Sequence, residues 1–252
     1  MGKIAFVFSG QGAQYSGMGK ELYDCSKAAK EVFDMADAIR PNTSTQCFSG
    51  TKEELNLTIN TQPCVFTADL AAACAVAEKG IKPDYLAGFS LGEVAAVGFS
   101  GMLSYEDAFK LVCKRAELMN TAAKENAGAM IAVLKLTPEK VEEICNNFTE
   151  TWPVNYNSPA QTVVATNESN VNAFVEAVKA EKGRAMPLAV SGAFHSPYMH
   201  SAATGLAECL ADISLNKPEV PVYSNYTAQP YTENAKELLT AQVENPVKWQ
   251  QT

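Results

Sequence analysis

The sequence contains no run of lysines and arginines. Its 20 basic side chains are scattered against 28 acidic ones, for a net charge of −8. That balance argues against nucleic acid and against anionic membrane surfaces as partners. It leaves small anions open, because a single well-placed arginine can bind one. Long apolar runs are missing too. The opening "MGKIAFVF" is too short for a signal-peptide core or a membrane span, and position six is not Ser or Thr, so myristoylation is not indicated. Histidine is scarce, with only His195 and His200. The seven cysteines form no C-x-x-C. These match no metal-ligand spacing. An odd, unpatterned set of cysteines reads as reduced thiols in a cytoplasmic protein, each a small buried apolar side chain. Internal repeats and low-complexity tracts are also absent.

What remains is a soluble globular composition. The chain has 252 residues, of which 47% are hydrophobic and 19% charged, enough for one large domain or two smaller ones. "KIAFVF" and "PDYLAGF" read as short buried strands. Helical patterns cover "GKELYDCSKAAKEVFDMADAI", the Ala-rich "TQPCVFTADLAAACAVAEKG", and "SYEDAFKLVCKRAELMNTAAKE" with Ser104 as its cap. Strands alternating with helices predict a parallel sheet covered on both faces. Near residue 125 the rhythm changes. "GAMIAVLKL", "TPEKVEEICNNF", "VNYNSP", "QTVVAT", "ESNVNAFVEAVKAEKG" and "AMPLAV" follow in the order βαββαβ, the ferredoxin-like split motif. The expected organisation is a large α/β domain over 1–125 and 192–252, with a small domain inserted over 126–191. After the insert, "SPYMHSAATGLAECLADI" reads as a helix with Ser196 as cap, and "VPVYSNY" as a strand.

Four features carry chemistry. Gly88-Phe89-Ser90-Leu91-Gly92 fits G-x-S-x-G between a strand and a helix. In that context the serine is held clear of the sheet, and the Leu91 N–H is available to an oxyanion. The competing reading is a helix cap, since Ser90 to Glu93 is also S-x-x-E, a capping box. A serine nucleophile needs a base. His195, in the turn "SGAFHSP", suits that role better than His200, which reads as a helix-surface residue. Arg115 falls on the apolar stripe Ala108, Leu111, Val112, Met119, Ala122. A guanidinium there needs an anion, either a structural carboxylate or a substrate carboxylate. Finally, "SGQGAQ" at the end of the first strand is a glycine-rich loop at the ligand-binding edge of an α/β sheet, though neither a P-loop nor G-x-G-x-x-G.

Taken together, "GQGAQ", "GFSLGE", "LVCKRAELM", "VNYNSPAQTVVA", "SGAFHSPYM" and "NPVKW" resemble the malonyl-CoA:acyl carrier protein transacylases of bacterial fatty acid synthesis, over nearly the whole chain. They also fit acyltransferase domains of polyketide and fatty acid synthases. The resemblance implies an α/β-hydrolase-like core with a ferredoxin-like insert. It implies Ser90 as nucleophile and His195 as base, with the amides of Gln11 and Leu91 as oxyanion hole. It also implies Arg115 as the partner of the malonyl carboxylate, Gln242 as the residue whose carbonyl orients the histidine, and Phe194 as a side chain that crowds branched substrates. The implied substrates are malonyl-CoA and acyl carrier protein, with no cofactor, in a cytoplasmic monomer. Two positions depart from the family's usual pattern: Phe89 stands where histidine is usual, and Ser9 where proline is commoner. Members of the resembling family also continue past "NPVKW", whereas this sequence ends at Thr252. The alternatives are a serine hydrolase of the α/β class, which would pair its histidine with an acid, and a non-catalytic acyl-binding module.

Overall fold

The computed structural model describes residues 2–190 and 192–252. Met1 and Ser191, the latter the last residue of the expected insert 126–191, lie outside the described residues. The strands are β1 (Ala5–Phe8), β2 (Tyr85–Gly88), β3 (Gly128–Leu134), β4 (Thr151–Ser158), β5 (Gln161–Asn167), β6 (Arg184–Pro187) and β7 (Val222–Tyr223). The helices are α1 (Lys20–Cys25), α2 (Lys27–Ile39), α3 (Thr43–Ser49), α4 (Lys52–Leu55), α5 (Thr58–Glu78), α6 (Leu91–Phe99), α7 (Tyr105–Glu125), α8 (Pro138–Cys145), α9 (Val171–Ala180), α10 (His200–Ala211) and α11 (Ala235–Glu244). The chain divides into two compact units. One comprises 1–117, 209–224 and 229–236; the other comprises 118–208, 225–228 and 237–252. These units follow packing, so the second takes in segments on either side of 126–191.

The first unit is built on a parallel sheet of order β1-β2-β7, with Phe8 opposite Gly88 at its carboxyl end. Helix α6 packs on β1 and β2, and α5 packs on α6. One expected cover is missing among the described residues: Val7 of the edge strand β1 is 63% exposed. The helical stretch expected over residues 19–39 forms two helices, α1 and α2. Ser26 takes an extended backbone and its hydroxyl accepts from the Ala29 N–H at 3.1 Å, capping α2. A serine side chain competes with helix continuation in this way and starts a new one. Ser104 caps α7 as expected, accepting from Asp107 N–H at 3.0 Å.

The second unit contains an antiparallel sheet of order β4-β5-β3-β6. That is the strand order of the split βαββαβ motif, with α8 and α9 on one face. Ile131 and Val133, two residues apart on β3, share that face and pack with Val141, Ile144, Val164, Phe174 and Val178. Thr137 caps α8 and Pro138 opens it, as the sequence predicts. The last strand is shorter than expected and ends at Pro187: the Leu188 N–H still meets the Met130 carbonyl in register, but the Val190 N–H then bonds the Leu188 carbonyl at 2.9 Å and the chain turns. The helix expected from Ser196 begins with a single 3-10 turn, Pro197–Met199, before α10; the Ser196 hydroxyl accepts from the Tyr198 N–H at 3.3 Å.

Candidate active site

Ser90 stands between β2 and α6 with φ 55° and ψ −108°, a backbone conformation that L residues rarely adopt. Its hydroxyl makes no capping bond to α6. The capping-box reading of Ser90 and Glu93 is therefore corrected: a serine with this backbone does not turn its side chain onto the helix it precedes. Glu93 is instead fully buried and accepts a hydrogen bond from the Tyr231 hydroxyl. The two glycines of the motif have a steric cause. A Cβ on Gly88 would lie 2.0 Å from the Gly92 carbonyl, and one on Gly92 would lie 2.3 Å from the Ser9 carbonyl oxygen. Strand, elbow and helix are packed backbone to backbone, which leaves Ser90 little freedom. Leu91 is the first residue of α6, so its N–H has no acceptor within the helix and lies at the positive end of the helix dipole.

Arg115 projects from α7 into the same unit and is only 2% exposed. Its Nη1 donates to Gln62 Oε1 at 2.6 Å and its Nη2 donates to Ser90 Oγ at 3.1 Å. The stripe expected to carry it is buried throughout: Ala108, Leu111, Val112, Met119 and Ala122. Burial pushes the guanidinium down to about 10, and the nearby charge of Glu93 opposes that fall. The side chain therefore stays cationic near neutral pH. The acceptors named here are neutral oxygens, which an incoming carboxylate is well suited to supplement. Gln62 was not singled out by the sequence. The signal was there: it is an amide, only 1% exposed, on a helix buried on most sides.

Gln11 lies in the loop that leaves β1. The Ala13 N–H bonds the Gly10 carbonyl at 3.2 Å, the Gly12 N–H bonds Gln14 Oε1 at 2.7 Å, and Gln14 Nε2 bonds Asn56 Oδ1 at 2.9 Å. Since Phe8 and Gly88 are paired, this loop and the Ser90 elbow leave the sheet at the same edge.

His195, Phe194 and Gln242 belong to the second unit. His195 also has a positive φ, 61°, and is 3% exposed. Its Nδ1 lies 2.8 Å from the Gln242 backbone carbonyl on α11. A carbonyl only accepts, so Nδ1 carries a hydrogen, and in the neutral ring Nε2 then keeps the lone pair. His200 is an exposed residue at the start of α10, with its Nδ1 2.8 Å from Glu244. Thus Ser90 is brought together with Arg115, and His195 with Gln242. All seven cysteines are unpaired thiols. Among the described residues no cluster of three potential metal ligands occurs, and no helix is long and apolar enough to cross a membrane.

Residues 5–252 match the family model described as the acyl transferase domain. The chain belongs to this acyl transferase family. A relative from Bacillus subtilis, a malonyl CoA-acyl carrier protein transacylase, is 42% identical over all of this acyl transferase and 82% of its own length. The crystal structure of a malonyl CoA-acyl carrier protein transacylase from Clostridium perfringens superposes with a TM-score of 0.93 at 40% identity, covering 98% of this chain and 80% of that one. A malonyl-transacylase solved in complex with a type II polyketide acyl-carrier protein gives a TM-score of 0.94 at 34% identity, covering 98% and 83%.

Proposed function

We propose that this acyl transferase moves a malonyl group from malonyl-CoA to the phosphopantetheine thiol of an acyl carrier protein, in fatty acid synthesis, by a ping-pong mechanism. The observation that carries the reading is the buried Arg115 guanidinium bonded to the hydroxyl of a strained serine. Ser90 Oγ attacks the thioester carbonyl and its proton goes to Nε2 of His195. The oxyanion is held by the Leu91 and Gln11 amides. The thioester C–S bond breaks, His195 returns the proton to the CoA sulfur, and a malonyl ester remains on Ser90. The carrier thiol then gives its proton to His195 and attacks the ester; the acyl C–O bond breaks and His195 returns the proton to Ser90 Oγ, which regenerates the serine.

Three residues support this sequence from the side. Arg115 pairs with the malonyl carboxylate, so an acetyl substrate leaves the buried cation without that anion. Gln242 holds His195 in the tautomer that accepts a proton. Phe194, 5% exposed and next to His195 in the chain, narrows the space for branched acyl groups. The chemistry calls for no cofactor and no metal. We take the setting to be the cytoplasm and the acting species to be a monomer.

The hydrolase alternative asks for an acid on the histidine, whereas Nδ1 of His195 meets a backbone carbonyl. Mixing the protein with malonyl-CoA and a phosphopantetheinylated acyl carrier protein tests the choice. Malonyl on the carrier, in step with CoA release, is the expected result. Free malonate with an unloaded carrier would instead identify a hydrolase.

A further inference from the structure

A half-buried acid bonded to the loop that leaves β1 has no role in the mechanism above. Asp69 lies on α5, and its Oδ1 accepts a hydrogen bond from the Ser9 hydroxyl at 2.8 Å. Its Oδ2 is shut off from water and has no hydrogen-bond partner among the described residues. An acid in such a place is costly and calls for a reason. Burial pushes its carboxyl up to about 7, while the hydroxyl and backbone N–H of Ser9 pull it back; no charged side chain contributes.

Ser9 is wedged against the catalytic elbow. Its carbonyl oxygen occupies the space that a side chain on Gly92 would need, and the Phe89 N–H donates to the Phe8 carbonyl at 3.0 Å. The next residue, Gly10, lies against Phe89: a Cβ there would come within 2.7 Å of the Phe89 ring and of its carbonyl oxygen. The far end of the loop is tied through Gln14 to Asn56. Gln11 therefore hangs between two anchors, and the near one is the Ser9 contact. Serine stands here where the resembling family commonly has proline. A proline would fix φ at this point, whereas a serine leaves it free. The Asp69 bond holds the Ser9 side chain instead.

We propose that Asp69 is a positioning residue, whose hydrogen bond to Ser9 fixes the loop that presents the Gln11 amide. This rests on the oxyanion role proposed above for Gln11. The test is single-turnover acylation of Ser90 by malonyl-CoA in Ser9→Ala, Asp69→Ala, the double variant and Asp69→Asn. Losing one such bond slows acylation on the order of 10-fold in either single variant, with the KM for malonyl-CoA unchanged. The double variant is no slower than the slower single one, because both break the same bond. Asp69→Asn keeps an oxygen that accepts from Ser9 and restores acylation to within about 2-fold of the unaltered protein.

Singles that acylate at the unaltered rate, losses that multiply in the double variant, or an Asp69→Asn as slow as Asp69→Ala would each overturn the proposal. Where Asp69→Ala fails to fold, Ser9→Ala and Asp69→Asn decide it by the same criteria, with circular dichroism melts to show that both are folded. Failure of the underlying functional reading gives a different signal: the unaltered protein then takes up no malonyl group, which overturns both.

Discussion

Arg115 and Ser90 lie 25 residues apart in the sequence, yet Nη2 of the one donates to Oγ of the other at 3.1 Å with both side chains buried. The bond ties a fixed positive charge to the hydroxyl proposed as nucleophile. In the proposed mechanism the cation stabilises partial negative charge on Oγ and anchors an acyl chain that ends in a carboxylate.

Arg115→Ala should therefore separate substrates. Two charge-assisted bonds to a carboxylate, at about 1.5 kcal/mol or more each, correspond on the order of 100-fold in malonyl transfer. Acetyl transfer should change far less. Initial rates with the two CoA thioesters measure this directly, and equal losses would remove the carboxylate-clamp role.

Gln62 holds Nη1 of Arg115 at 2.6 Å through a neutral oxygen. Gln62→Glu would give the guanidinium a resident carboxylate that competes with the substrate. The expected effect is a higher KM for malonyl-CoA, by about 10-fold, with a smaller change in kcat. A KM left unchanged would mean that Gln62 only fills space.

The elbow should tolerate no side chain at Gly92. A Cβ there meets backbone oxygens of Ser9 and Phe8 at 2.3 and 2.6 Å, and backbone cannot step aside. Gly92→Ala should cost about 3 kcal/mol or more in a urea unfolding series. Ser90→Ala, which adds no atoms, should unfold within about 1 kcal/mol of the unaltered chain.

Asp69 makes stability depend on pH. Its folded-state pKa is raised to about 7, so the folded chain holds that proton more tightly than the unfolded chain does. This group therefore favours the folded state most below about pH 4, and the benefit is lost as pH rises through about 7. Asp69→Asn removes the titration. Thermal melts at about pH 5 and about pH 8 should show Tm of Asp69→Asn rising relative to the unaltered protein at the higher pH. A difference that does not change with pH would contradict the raised value.

Much of the frame was legible in the sequence. The strand Ala5–Phe8, the elbow at Ser90, the buried face of α7 and the βαββαβ order each leave a local signature: a β-branched or aromatic run, paired glycines, a period of 3.6, or a switch of period. Other features depend on contacts distant in sequence. The break at Ser26 turns on one side-chain bond that a helical period does not reveal. Glu93 looked like half of a capping box because S-x-x-E is a local pattern. Its actual partner, Tyr231, is 138 residues away. Gln62 and Asp69 were invisible for the same reason, since each matters only through a bond made across the fold.

The central claim is that Ser90 accepts a malonyl group, and intact-mass measurement after brief exposure to malonyl-CoA tests it most directly. One malonyl unit should be added per chain, located by peptide mapping to the segment that contains Ser90, absent in Ser90→Ala, and discharged when an acyl carrier protein is added. A chain whose mass stays unchanged while malonyl-CoA is consumed, or an adduct that persists in Ser90→Ala, would contradict it.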